Sequence, residues 1–143
     1  MYASKLNLIE TERALKEIKH TFELELSQAL NLTRISAPLF VSKNSGLNDD
    51  LNGVERAVSF DIRATGETAE VVHSLAKWKR YALAKYRFGA YFGLYTDMNA
   101  IRRDEDLDNL HSVYVDQWDW EAVILRKDRT HDYLKNTVKK AWW

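Results

Sequence analysis

The stretch Val113-Tyr114-Val115-Asp116-Gln117-Trp118-Asp119-Trp120-Glu121 alternates in steps of two, the period of a pleated strand. One of its faces changes character midway, because Val113 and Val115 are followed there by Gln117, Asp119 and Glu121. A strand face passes from apolar to amide and carboxylate either at a solvated end or at the rim of a pocket, and an amide and two acids at alternate positions suit the ammonium or amide of an amino acid. Upstream, Leu94 to Arg102 alternates through Leu94, Thr96, Met98 and Ala100, so this run and His111 to Glu121 are predicted to pair antiparallel. Asp104-Glu105-Asp106 between them reads as a solvated turn.

Outward from this pair the pattern supplies helices. Ala14, Ile18, Phe22, Leu26 and Leu30 fall four apart and predict a helix from about Thr11 to Leu30, with Asn31 as a left-handed stop. Thr33 to Val41 then reads as one strand, and Pro38, which donates no ladder bond, places it at an edge or a subunit contact. Residues 42–53 are polar with two glycines and read as a long loop of the kind that carries function. Val58, Phe60 and Ile62 predict a half-buried strand that turns at Thr65-Gly66-Glu67 into a short strand near Glu70-Val71-Val72. Ser74 is placed to cap a helix running to about Arg87, with Leu75, Trp78, Ala82 and Tyr86 inward and Gly89 and Gly93 as breakers. A last helix from about Thr130 lines up Leu134, Val138 and Trp142, and the pair Trp142-Trp143 either docks on its own core or seeks a partner surface. The fold class is α+β: an antiparallel sheet flanked by helices, in a single domain over residues 1–143.

Composition limits the chemistry. Apolar residues at 45% and charged residues at 29% predict a folded chain, and 21 Lys and Arg against 21 Asp and Glu leave no bulk attraction to nucleic acid or anionic lipid. The absence of cysteine removes thiolate metal sites and thiol nucleophiles. No basic leader and no long apolar run occurs, so a soluble, unprocessed, cytoplasmic chain without nucleic-acid or membrane partners is the expectation. His20, His73, His111 and His131 lack metal-ligand spacing, so no metal site is assigned, and phosphate-loop and nucleophile-elbow motifs are missing. Lys77, Lys79 and Arg80 gather cations in one helical turn, either as a solvated face or facing a carboxylate or phosphate. Arg102-Arg103 closes a strand, and its guanidinium either pairs with the acidic turn or meets an α-phosphate.

Two near-unbroken blocks add a family. His73-Ser74-Leu75-Ala76-Lys77-Trp78-Lys79-Arg80 and His111 to Glu121, with Arg102-Arg103-Asp104-Glu105-Asp106 between them, closely resemble the ammonia-dependent asparagine synthetases, that is, the aspartate–ammonia ligases. Asp49-Asp50-Leu51-Asn52-Gly53-Val54-Glu55 resembles that family's loop, and the resemblance runs from about Ile18 to the end of the sequence. It implies the catalytic fold of class II aminoacyl-tRNA synthetases, here its N-terminal part, working as a homodimer. The helix before Asn31 and the Pro38 strand resemble the dimer-forming motif 1, and Leu94 to Glu121 resembles motif 2.

By this resemblance Arg102 is the ATP phosphate ligand, and Lys79 faces the substrate carboxylate. Asp49, Gln117 and Asp119 surround the aspartate and the amide being formed, with Ser74 in the same pocket. The implied reaction joins L-aspartate and ammonia at the expense of ATP, with Mg2+, through β-aspartyl adenylate. Motif 3 and most metal ligands lie in a part of the family's sequence that this stretch does not include. Four residues depart from the family pattern: Phe92 stands for an acid, Asp97 for a His, Arg103 for a Pro and Ser45 for an acid. The alternative reading is a non-catalytic module, derived from that enzyme, for aspartate or adenylate binding or for dimerisation. An RNA-binding relative of the synthetases is disfavoured by the neutral charge.

Overall fold

The computed structural model describes residues 3–142, so Met1, Tyr2 and Trp143, the second of the paired tryptophans, lie outside the described residues. In chain order the elements are α1 (Leu8–Leu30), β1 (Leu32–Arg34), β2 (Phe40–Ser42), β3 (Ser59–Ile62), β4 (Glu67–Val71), α2 (Ala76–Lys85), β5 (Gly93–Ile101), β6 (Tyr114–Ala122) and α3 (His131–Trp142). They form two three-stranded sheets, ordered β1-β5-β6 and β2-β4-β3. All pairs are antiparallel except β1 with β5, which is parallel.

Helix α1 begins earlier than its apolar stripe because Asn7 and Glu10 form a reciprocal cap: Asn7 Oδ1 accepts from the Glu10 N–H at 2.9 Å and Glu10 Oε2 from the Asn7 N–H at 3.0 Å. It ends at Asn31, whose φ of 53° is left-handed as expected. Only the C-terminal part of the stripe is covered, with Leu26 and Leu30 buried and Ile18 exposed.

The single strand expected over Thr33 to Val41 is divided. Its ends, β1 and β2, belong to different sheets, and Pro38 stands at the crossover. Pairing persists on both sides of it, from the Ile35 N–H to the Tyr95 carbonyl at 3.0 Å and from the Val72 N–H to the Leu39 carbonyl at 3.1 Å, and lapses where proline has no hydrogen to give. Strands β3 and β4 form the expected hairpin, but Phe60 is exposed and meets Phe40 edge-on at 5.1 Å instead of entering the core.

The β5–β6 pair runs in register from Gly93 opposite Ala122 to Ile101 opposite Tyr114. Strand β6 starts after His111 because Asp108 accepts the N–H groups of Leu110 and His111 and holds that segment in a turn. The acidic turn is not simply solvated, since Asp104 accepts from the Arg56 N–H at 2.8 Å and from its Nε at 3.0 Å. Gly93 belongs to β5 and does not break α2. A Cβ there would lie 2.3 Å from the Glu121 carbonyl oxygen, so the backbones approach as only glycine allows. Helix α2 instead stops at Lys85, with Arg87 at φ 57° and the Phe88 N–H reaching back to the Leu83 carbonyl. That earlier stop leaves Tyr86 exposed, not inward.

Alternate residues of β5 define the core. Leu94, Thr96, Met98 and Ala100 are fully buried, Met98 and Ala100 against Val41, Val72 and Leu75, and Leu94 against Ala82 and Leu83. On the opposite sheet face Tyr95 packs with Leu26, Leu30 and Leu32, and Phe22 stacks on Trp118. Helix α1 therefore covers one face of the β1-β5-β6 sheet, while α2 and the second sheet cover the other. Along α3, Leu134, Val138 and Trp142 share an exposed face.

Candidate functional site

The first turn of any helix presents unpaired N–H groups and a partial positive charge. At α2 these are met from outside the helix. Ser74 was expected to cap, yet Leu75 occupies the cap position and offers no side-chain bond. Asp49, from the long loop, supplies the carboxylate: its Oδ2 accepts from the Ala76 N–H at 3.1 Å and from the Ser74 hydroxyl, while Ser74 Oγ also lies 3.3 Å from the Ala76 nitrogen. The loop is tied down by its neighbours. Asn48 Oδ1 accepts from the His73 N–H at 2.9 Å, and Lys77 Nζ donates to the Asn48 carbonyl at 3.0 Å.

One turn further along α2, Lys79 is 3% exposed. A buried ammonium requires a partner. Its Nζ donates to the Asp119 carboxylate and to the Trp120 carbonyl at 3.2 Å, with Glu121 Oε2 at 3.6 Å. Arg80 Nε holds the other Glu121 oxygen at 3.1 Å. These contacts follow from register: Glu121, Asp119 and Gln117 lie opposite Leu94, Thr96 and Met98, and hence on the α2 side of the sheet. Gln117 continues this row as an exposed side chain.

Arg102 extends the same row at its far end. Its N–H donates to the Val113 carbonyl at 2.8 Å, which continues the ladder, and its position places it on the face of Leu94 to Ala100. Lys79 and Arg102 therefore share one sheet face, but six strand positions separate Arg102 from the Thr96–Asp119 rung, about 20 Å. The Arg102 Nη1 is 3.7 Å from Glu105, and its Nε is buried without a hydrogen-bond partner among the described residues. A buried N–H of this kind favours an arriving acceptor. Arg103 lies at the surface 3.9 Å from Asp104.

The α2 N-terminus thus gathers Asp49, Ser74, Lys79 and Asp119, with Gln117 beside them and Arg102 at the end of the row. That Asn48 and His73 lock the loop has no local mark in the sequence, because their partners are 25 and 24 residues away. Asp97 lies on the other sheet face and is a tie: Arg34 Nη2 reaches its carboxylate at 2.6 Å and Trp118 Nε1 at 2.7 Å. Partial burial pushes the Asp97 carboxyl upward, but the bonds from Arg34 and Trp118 outweigh it and hold the group below the usual range. A cavity of about 670 Å³ also opens on that far face, between Trp120, Tyr91 and α3, away from the cluster. Among the described residues no group of three or more His, Asp or Glu side chains is arranged to hold a metal ion.

A central strand pair roofed by α2, with a short parallel strand following a long helix, is the arrangement of a class II aminoacyl-tRNA synthetase catalytic domain. Among solved structures, the pyrrolysyl-tRNA synthetase PylSc of Desulfitobacterium hafniense is similar at a TM-score of 0.55 and 14% identity, over 91% of this chain and 49% of that one. A second pyrrolysyl-tRNA synthetase structure from that organism is similar at 0.55 and 13%, over 98% and 59%. Within that fold class the sequence relation is closer. The family model for aspartate-ammonia ligase matches residues 9–143, and the chain belongs to that family. The relative named aspartate–ammonia ligase in Ruminiclostridium cellulolyticum is 63% identical over 140 residues, and that of Limosilactobacillus fermentum 59% over 142. The chain spans 42% of the length of each of these two relatives.

Proposed function

We propose that residues 1–143 are the N-terminal part of one catalytic domain of an aspartate–ammonia ligase. This enzyme makes asparagine from L-aspartate, ammonia and ATP. A β-carboxylate oxygen of aspartate attacks the α-phosphorus, pyrophosphate leaves, ammonia attacks the resulting acyl carbon of β-aspartyl adenylate, and AMP departs as a proton is lost from nitrogen. The observation that carries this reading is the alignment of α2 with one sheet face: Asp49 with Ser74 at the α2 N-terminus, Lys79 against Asp119 on that face, then Gln117, and Arg102 at its end, whose buried Nε has no partner among the described residues.

Each residue has a chemical task in this reading. Lys79 offers its charge to a substrate carboxylate. Asp119 and Gln117 take the substrate ammonium or orient the amide, and Asp49 and Asp119 are the acids available to receive the proton that ammonia loses. Arg102 offsets the negative charge at the α-phosphate, a contribution of about 10²- to 10³-fold when such a donor is removed. Among the described residues no group of three or more His, Asp or Glu side chains is arranged to hold Mg2+, so in this reading the metal that accompanies ATP rests on the phosphates and on residues of the family's remaining sequence. The exposed N-terminal part of α1 and the Pro38 crossover suit a homodimer contact, and the working compartment is the cytoplasm. No helix among the described residues is long and apolar enough to cross a membrane, and the chain's neutral charge supports no nucleic-acid role.

One observation favours the second reading, a non-catalytic aspartate-binding or dimerisation module: the Lys79 charge is already taken by Asp119 and Glu121, so a substrate carboxylate must displace a resident acid. The two readings separate on incubating the purified chain with aspartate, ammonium, ATP and Mg2+ and following asparagine and AMP. Formation of both, lost in Arg102→Ala, supports the ligase. Absence of product, with Arg102→Ala indistinguishable from the parent, overturns catalysis by this polypeptide.

A further inference from the structure

Resting on the reading of Asp49 as a site residue, we propose that His73 is its positioning residue, acting through a single ring tautomer. His73 is 2% exposed and lies between β4 and α2, where it grips two successive loop residues. Its N–H donates to Asn48 Oδ1 at 2.9 Å, and its ring Nδ1 lies 3.1 Å from the Asp49 carbonyl oxygen. A carbonyl oxygen only accepts, so Nδ1 carries the hydrogen. The other ring nitrogen, Nε2, is buried without a partner among the described residues, which suits a bare lone pair and not a second N–H.

The ring therefore holds the Asp49 backbone from one side, while the Asp49 side chain is held from the other by the Ser74 hydroxyl and the Ala76 N–H. With the main chain fixed at its carbonyl, the carboxylate lies within reach of the α2 N-terminus, one turn from Lys79. His73 touches no group assigned to substrate. Its effect is on where Asp49 stands.

Nitrogen-15 NMR of the full chain tests the tautomer directly. The expected spectrum has a protonated Nδ1 and a bare Nε2, and the reverse assignment or a charged ring overturns the proposal. Two variants then test the positioning. His73→Asn keeps an amide donor near the Nδ1 position, whereas His73→Gln reaches toward Nε2. Hydrogen exchange at the Ala76 amide, which donates to Asp49, is expected to quicken about tenfold in His73→Gln and to stay near the parent rate in His73→Asn, with the β5–β6 amides protected in both. Equal behaviour of the two variants overturns the proposal. Exchange reads the placement of Asp49 without any activity, so it stays separate from the functional reading, which fails if Asp49→Asn binds aspartate as the parent does.

Discussion

Lys79 is the residue on which the cluster turns, and its environment makes a stability prediction. Lys79→Met leaves Asp119 without its cation in a position that retains 23% side-chain exposure. The loss expected for breaking a fully buried pair, 3–5 kcal/mol, is therefore discounted to about 2–3 kcal/mol. Adding Asp119→Leu should recover more than half of it in urea unfolding, as the cycle for a coupled pair requires. Additive losses would show that the two groups do not interact. At Tyr95, burial and then the hydrogen bond to Glu23 push the phenol up to about 12. The raised value favours the neutral ring, so its contribution to stability is complete below the ordinary value near 10 and is lost between there and about 12. Phenolate absorbance in a pH titration should show the step missing from Tyr95→Phe above pH 11, and a missing step near 10 would contradict this. The sequence conveyed some of these residues and not others. The amide-acid-acid face of Gln117, Asp119 and Glu121 was legible because strand period alone fixes it. That Lys79 would be neutralised by Asp119, or that Asp49 would join Ser74 at the α2 N-terminus, depends on packing between segments tens of residues apart, which no local pattern records.

At the scale of elements, the β5–β6 pair positions everything else, and at Gly93 its two backbones leave no room for a Cβ. Gly93→Ala puts a methyl 2.3 Å from the Glu121 carbonyl oxygen and 2.8 Å from Ala122 Cα, neither of which is a flexible side-chain end. The expected loss is about 3 kcal/mol, with exchange protection reduced at the Leu94–Glu121 end of the ladder and retained near Ile101. Unchanged stability would mean that the strands are not paired in this register. The antiparallel pair and α1 were legible because each has a clean period, two or near four. The continuous strand through Pro38 was not, because alternation of Ile35, Ala37, Leu39 and Val41 carries no mark of which sheet each end joins. The stop of α2 was misread for a related reason: a left-handed Arg87 ends it, a conformation that sequence assigns to glycine first.

Among the described residues, two helices leave apolar side chains uncovered. Along α3, Leu134, Val138 and Trp142 are 60%, 56% and 85% exposed, and the N-terminal part of α1 exposes Leu8, Ile9 and Ile18. Patches of this kind drive association. Sedimentation should show the chain self-associating at micromolar concentration, with Leu134→Glu and Val138→Glu together shifting it toward monomer; a parent that stays monomeric would contradict this. The proposed binding of aspartate at the α2–β6 face is read by titrating L-aspartate into the nitrogen-15-labelled chain. Shifts are expected at Asp49, Ser74, Lys79, Gln117 and Asp119, with their loss in Lys79→Met. Shifts confined to the cavity on the far face, beside Trp120 and Tyr133, or no shifts at all, would contradict it.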